Sequence, residues 1–313
     1  MDFKTRENIE RRMPSLQKTN KVVPYTFDSA TISNCDIFRV DGHYTQFPRK
    51  DHSVNHQYYI CSYDGISTVY GYEAVEKEFL KLVLHYIQDG TRIRKLVYDD
   101  LPKGMKEMNF KIHISELSLV TDRFRQWRMN VEKFQKLLPM IKDSIPLKKV
   151  EIEFNMETRP LFEEPLVKTC SELSIYIKNF IIGDLLHHLN NKHIHLQVAP
   201  QDNWADSFVV VRNLARHWLN TEKSVGRTFT LPYYHFAVIG AVINHMKVYL
   251  GARITKILEL GDNYLALCAV IPINDTLEIV VFGTKYEQSG VEIFALRMAV
   301  KPRGSTNALG FFE

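Results

Sequence analysis

Leu147-Lys-Lys-Val150-Glu-Ile152-Glu-Phe-Asn155 is the stretch of sequence from which the fold of this chain is inferred. Its spacing matches L-x-x-L-x-L-x-x-N, the turn–strand–turn signature of a leucine-rich-type repeat. Val150 and Ile152 alternate with charged residues, as expected for a strand with one buried side and one solvent-facing side. The stretch therefore predicts one unit of a repeated β/α architecture.

Other stretches follow the same spacing less perfectly. Most neighbouring copies are separated by roughly the 20–29 residues typical of such repeats. Between the copies, apolar residues recur at intervals of three and four, which predicts helices. The repetition indicates that strands and helices alternate through the middle of the chain. The copies are Ile93–Tyr98, Ile114–Asp122, Leu147–Asn155, Cys170–Ile175 and Asn191–Leu196.

The alternation within these strands distinguishes two α/β architectures. In a doubly wound sheet, helices cover both faces and the strands are continuously apolar. Here Ile194 and Leu196 alternate with His193, His195 and Gln197. This pattern favours an irregular leucine-rich-repeat-like β/α solenoid, with helices on one side of the sheet only.

The sequence divides into four predicted regions. Short β-branched and aromatic runs with turn dipeptides precede the repeats, and period-two runs follow Ala252. Thr228–Met246 lacks charged residues, but its periodicity and its Pro232 predict a buried amphipathic helix rather than a membrane helix. The regions are an N-terminal helix (1–21), a small antiparallel β subdomain (22–72), the β/α repeat region (73–251) and a C-terminal antiparallel β meander (252–313).

Composition indicates an ordinary globular protein. Among 313 residues, 45% are apolar and 24% are charged, and the formal charge of +4 is too small for a dedicated nucleic-acid binder. The four cysteines are scattered without C-x-x-C spacing, which favours a reducing compartment. Charged residues within Met1–Glu7 argue against a signal peptide. We therefore expect a cytoplasmic or nuclear protein without a membrane segment.

Candidate chemistry is sparse. His187, His188, His193 and His195 form the densest group of metal-ligand residue types, but no cysteine or acid lies at a recognised ligand spacing. We therefore expect surface histidines, no metal site and no cofactor. Phosphate-binding loops, nucleophile elbows and zinc-protease motifs are absent from the sequence. A hydrolase or transferase with an unrecognised site remains an alternative, because catalytic groups are defined by geometry rather than by sequence.

Basic and aromatic residues interleave in Arg123-Phe-Arg125-Gln-Trp127-Arg128. This pattern is common on nucleic-acid-binding surfaces, so RNA binding is a further alternative. The modest net charge makes a charged loop before a helix the simpler interpretation.

Met13–Pro24, Ile271–Asp275 and Met298–Ser305 resemble segments of a large nematode family of unknown function. Members of that family carry an F-box-like segment just before the first of these motifs. The resemblance implies an F-box-associated recognition protein whose repeats hold a target, with a ubiquitin-ligase adaptor as a second partner. The resemblance implies that this chain begins near the end of the F-box-like region. The resemblance supplies no functional residues.

The function inferred from the sequence is non-enzymatic protein–protein interaction inside the cell. Its partner-binding surface is the solvent-facing side of the repeat strands, because alternation places their polar residues there. The predicted contact residues are Lys149, Glu151, Glu153, Ser174, Tyr176, His193, His195 and Gln197.

Overall fold

The structure is a computed structural model, and it divides the chain into two compact units, Met1–Ile145 and Pro146–Glu313. The predicted N-terminal helix and the Arg123–Arg128 segment lie outside the described residues. The described residues are 26–33, 37–40, 43–46, 58–61, 67–70, 80, 83–101, 105, 110–120, 130–177, 182–198, 204–221, 223–233, 236–257, 266–288 and 291–305.

The first unit contains a sheet of parallel and antiparallel strands. Strand β1 (Thr26–Ser33) pairs in parallel with β6 (Thr91–Tyr98), which pairs in parallel with β7 (Ile112–Ser118). Short antiparallel strands continue the sheet beyond β1. They are β2 (Ile37–Val40), β3 (His43–Gln46), β4 (Tyr58–Cys61) and β5 (Ser67–Tyr70).

Helix α1 (Val131–Ile141) packs against β7 in this unit. It begins after Asn130, whose side-chain oxygen accepts a 2.9 Å hydrogen bond from the backbone N–H of Lys133. Such an N-cap satisfies one of the unpaired donors of the first turn. Tyr98 of β6 donates a 2.8 Å hydrogen bond to the Lys133 carbonyl, which fixes the helix against the strand.

The second unit begins with alternating strands and helices. The strands β8, β9, β10 and β11 pair in parallel in chain order. They are β8 (Lys149–Glu153), β9 (Glu172–Ile177), β10 (His193–Val198) and β11 (Thr228–Tyr233), and the helices are α2 (Pro165–Thr169), α3 (Gly183–His188), α4 (Trp204–Asn220) and α5 (Phe236–Leu250).

The four strands expected after Ala252 are present as an antiparallel meander. The last of them, β15, pairs antiparallel with β11 and so joins the meander to the parallel strands. Helix α5 packs on the meander, and Gly251 ends that helix with a φ of 63°. The strands are β12 (Arg253–Ile257), β13 (Ala266–Pro272), β14 (Leu277–Gln288) and β15 (Val291–Pro302).

Backbone hydrogen bonds align the parallel strands at their first residues. The N–H groups of Glu172, His193 and Thr228 each donate a 2.9 Å bond to a carbonyl in front of the preceding strand. The buried Asn191 side chain donates to the carbonyls of Val167 and Cys170 at 2.8 and 2.9 Å. These contacts connect the first positions of two predicted repeat copies, at Cys170 and Asn191.

One local prediction is wrong. Residues Thr228–Tyr233 form strand β11, although the sequence predicted that the helix starts there. The Thr-Phe-Thr-Leu-Pro-Tyr segment is rich in β-branched and aromatic residues, and pairing on both sides holds it extended. The finer prediction of a leucine-rich-repeat-like solenoid is not shown by the strand order, in which the antiparallel β15 follows β11. The architecture is mixed α/β.

The apolar sides of the parallel strands are fully buried. Val150, Leu173, Ile194 and Phe229 have no exposed surface, and neither does Trp218 of α4. Among the described residues, no helix combines the length and the apolar character needed to cross a lipid bilayer. The polar side of the same strands carries the candidate site.

Candidate functional site

The register of β8, β9 and β10 brings all eight predicted contact residues together. In a sheet, residues at paired positions point to the same side. Three rows of paired residues result, each with one residue from each strand, and we call this surface the polar face. Its rows are Lys149–Glu172–His193, Glu151–Ser174–His195 and Glu153–Tyr176–Gln197.

The expectation that every predicted contact residue is solvent-exposed is wrong for two residues of the middle row. Glu151 is only 8% exposed and Ser174 only 1%. The other residues of the polar face are half-buried. Ser174 is a short side chain between two rows of longer ones, and the carboxylate of Glu151 is drawn to the neighbouring ammonium of Lys149. The outer rows are therefore the more accessible part of the polar face.

Lys149 connects two carboxylates of the polar face. Its Nζ lies 3.2 Å from Oε1 of Glu151 and 3.0 Å from Oε1 of Glu172. Burial lowers the pKa of Lys149, but the hydrogen bonds and charges of both glutamates outweigh it and the pKa is raised. Lys149 therefore stays protonated at neutral pH. The polar face then carries three carboxylates and one ammonium, so it is acidic.

The two histidines of the polar face are neutral at pH 7. Nδ1 of His193 lies 2.9 Å from the Thr228 hydroxyl, and Nε2 of His195 lies 3.9 Å from Oε1 of Glu172. Burial lowers the pKa of both histidines, and the charge of Glu172 opposes this only in part. Neutral imidazoles offer the face one donor and one acceptor each.

Glu151, Ser174 and His195 occupy neighbouring positions of one row, which resembles an acid, a nucleophile and a base. Nucleophilic catalysis requires a hydrogen bond that joins the nucleophile to its base. Among the described contacts, none links the Ser174 hydroxyl to the His195 ring, and Ser174 is almost fully buried. The arrangement favours hydrogen bonding by the surface over acyl transfer.

The histidine group noted in the sequence does not converge on one point. His193 and His195 lie on the polar face, whereas the ring of His187 stacks on His217 of α4, with centroids 4.6 Å apart. His188 is exposed at the end of α3. In the part of the chain that the structure describes, no group of three or more His, Cys, Asp or Glu is arranged to hold a metal ion.

Sequence reasoning missed some residues of this surface. Glu172 lies at the centre of the ion network, and its position two residues before Ser174 could have revealed it. Thr230 of β11 and Arg297 of β15 extend the middle row beyond His195. No pattern in the sequence could have revealed Arg297, because its position depends on antiparallel pairing with a distant strand.

A second candidate is a shallow depression of about 650 Å³ in the first unit. It lies at the amino ends of the parallel strands β1, β6 and β7. Arg94 binds Asp28 there at 2.6 Å, and its hydrogen bond lowers the pKa of the Asp28 carboxyl. Ligands of open α/β sheets bind at the carboxyl ends of the strands, so the position does not favour a ligand site.

Comparison with known proteins identifies one domain. Residues 103–235 match the model of a domain of unknown function, DUF3557. The match runs from before β7 to just beyond β11 and includes every residue of the polar face. No curated protein and no solved structure matches the chain. The polar face thus lies within a recognised sequence domain.

Proposed function

We propose that this chain is a non-enzymatic protein-interaction protein of the cytoplasm or nucleus, and that its polar face binds the partner. The observation that carries the proposal is the register of three parallel strands, which lines up nine polar side chains on one surface. Loops and turns are not needed to build such a surface, so its geometry is fixed by the sheet.

The chemistry of the polar face defines the partner that fits it. Three glutamates and one lysine give the face an acidic character, and two neutral histidines with Gln197 and Tyr176 supply hydrogen-bonding groups. Electrostatic complementarity favours a partner segment that presents Lys or Arg side chains. The row Glu153–Tyr176–Gln197 is the contact row, because it lies towards the carboxyl ends of the strands and is only half-buried.

The leucine-rich-repeat-like architecture is part of the same proposal. We regard the β/α succession as leucine-rich-repeat-like, supported by the recurring hydrogen bonds at the strand starts and by the Asn191 contacts. The resemblance of the terminal motifs supports target recognition in an F-box-type ubiquitin-ligase context. In that setting the polar face would hold the target.

Affinity purification of the full chain tests the proposal. The variant Glu153→Lys with Gln197→Lys places two ammonium groups in the contact row. Its matched control, Asp143→Lys with Asn190→Lys, changes one acid and one amide at exposed positions elsewhere. Quantitative mass spectrometry should recover a partner with the wild type and the control but not with the contact-row variant. Equal recovery with all three would contradict the proposal.

The same purification addresses the ligase context. A ubiquitin-ligase adaptor should be recovered with the wild type and also with the contact-row variant, because the adaptor would not use the polar face. If no adaptor is recovered from any sample, the proposed ligase context is contradicted. The proposed interaction function is not affected by that result.

The hydrolase or transferase alternative rests on the row Glu151–Ser174–His195. It predicts that Ser174 reacts with an acyl- or phosphoryl-directed activity probe and that Ser174→Ala abolishes labelling. Labelling that is absent, or unchanged in Ser174→Ala, would count against this alternative.

A further inference from the structure

Helices α4 and α5 pack against each other and present an exposed surface that the proposed function does not use. Val209 of α4 is 42% exposed, and Val248 and Tyr249 of α5 are 73% and 54% exposed. Large apolar side chains that are exposed together indicate an interaction site more strongly than single ones. Three of the five that the described residues expose lie on this helix pair.

The same two helices also carry cations. The guanidinium of Arg212 lies over the Tyr249 ring, 5.3 Å from its centroid. Arg216 follows one turn later on α4, and Lys247 precedes Val248 on α5, both exposed. We call this surface the helical face, and it consists of Val209, Arg212, Arg216, Lys247, Val248 and Tyr249.

Carboxylates are missing from the helical face. Helix α5 contains no Asp or Glu, and α4 contains only Asp206, in its first turn. The exposed cations of this pair therefore have no acidic neighbour on their own helices. Surface cations gain most from a ligand that supplies the missing negative charge.

We propose that the helical face docks an acidic amphipathic helix of a second protein. Its apolar side would contact Val209, Val248 and Tyr249, and its carboxylates would pair with Arg212 and Arg216. Two packed helices offer a groove in which an amphipathic helix can lie, with apolar anchors at intervals of three and four residues.

An anionic membrane would fit this surface less well. Electrostatic membrane attachment generally uses clusters of about 4–8 Lys or Arg residues. The helical face has three cations, and its exposed apolar residues are interrupted by Arg212. The number and arrangement of charges therefore favour a polypeptide over a lipid surface.

Peptide display on the full chain tests the inference. A library of random 16-residue peptides is selected on the wild-type chain, with counter-selection on Arg212→Glu combined with Arg216→Glu. The recovered peptides should combine acidic residues with apolar residues at intervals of three and four. Their affinity, measured by fluorescence polarisation, should fall at least about tenfold in the double variant, because like charges would then face each other.

Further variants separate this surface from general effects. Val248→Asp alters only an exposed side chain and should weaken the same peptides, whereas the charge reversal Arg159→Glu lies outside the helical face and should not. The contact-row variant, Glu153→Lys with Gln197→Lys, should bind the peptides as the wild type does. Failure of the helical-face inference can therefore be distinguished from failure of the polar-face proposal.

Three results would overturn the inference. One is the recovery of no peptides, or of peptides without an acidic consensus. The second is equal affinity for the wild type, the double arginine variant and Val248→Asp. The third is that sedimentation of the chain with phosphatidylserine vesicles depends on Arg212 and Arg216, whereas peptide binding does not depend on them.

Discussion

Lys149 is the residue on which the electrostatics of the polar face depend. Its ammonium lies within 3.2 Å of two carboxylates, one of which belongs to the buried Glu151. Removing one partner of a buried charged pair costs more than the pair contributes, because the remaining charge keeps its desolvation penalty. Lys149 therefore stabilises the fold and also sets the charge of the surface.

Replacing Lys149 by Met tests this role. The free energy of unfolding, measured by urea denaturation, should fall by about 1–3 kcal/mol, since Glu151 loses its hydrogen-bonded cation. Adding Glu151→Gln to Lys149→Met should restore part of the loss, because the buried charge is then removed. The exposed Lys148→Met is the control. A Lys149→Met chain as stable as this control would refute the role.

His217 makes stability depend on pH. Its ring stacks on His187, and the Nε2 atoms of both rings are buried without a hydrogen-bond partner. Burial lowers the pKa of His217 below the ordinary 6.5, and the charges of Lys223 and Arg227 lower it further. The unfolded chain therefore takes up a proton before the folded chain does, as the pH falls through 6.5.

The contribution of His217 to the free energy of unfolding should be fully present above pH 6.5 and should decrease below it. Urea midpoints measured between neutral and mildly acidic pH should fall less steeply for His217→Gln than for the wild type. The exposed His188→Gln should keep the wild-type slope. Identical slopes for all three chains would rule out His217 as a contributor.

Asn191 links neighbouring elements of the second unit. Its amide donates to the carbonyls of Val167 at the end of α2 and Cys170 before β9. Asn191→Leu keeps the approximate shape of the side chain but leaves these buried carbonyls without that donor. We expect a loss of about 1–3 kcal/mol in the free energy of unfolding. The exposed Asn190→Leu should change it little, and equal losses would contradict the link.

At the scale of single helices and strands, hydrophobic periodicity and apolar–polar alternation predicted much of the second unit. The strands around Val150, Leu173 and Ile194 were recognisable because each has one apolar and one polar side. Strand β11 was missed, although Phe229 and Leu231 alternate with Thr228 and Thr230, because its residues continue without a charge into helix α5.

For the site, sequence predicted which residues share a face but not how deeply they lie. Alternation is a property of one strand and is visible in the sequence. The burial of Ser174 depends on the neighbouring strands on both sides, and the position of Arg297 depends on β15 pairing with β11. Such long-range pairing has no local signal.

At the scale of the whole molecule, charge separates the two surfaces. The polar face is acidic, and the helical face is basic. This difference predicts that binding to the two surfaces responds to different variants and can occur at the same time. The RNA-binding alternative predicts an affinity for RNA that falls steeply as the salt concentration rises. Because the polar face is acidic, that affinity should not depend on it.

Site-specific photo-crosslinking in cells tests the central claim most directly. A photoreactive amino acid replaces Tyr176 in the contact row or, as a control, the exposed Lys142. The account predicts that Tyr176 forms an adduct with one protein, that its crosslinked segment contains Lys or Arg, and that the control forms no such adduct. Absence of an adduct at Tyr176, or the same adducts at both positions, would contradict it.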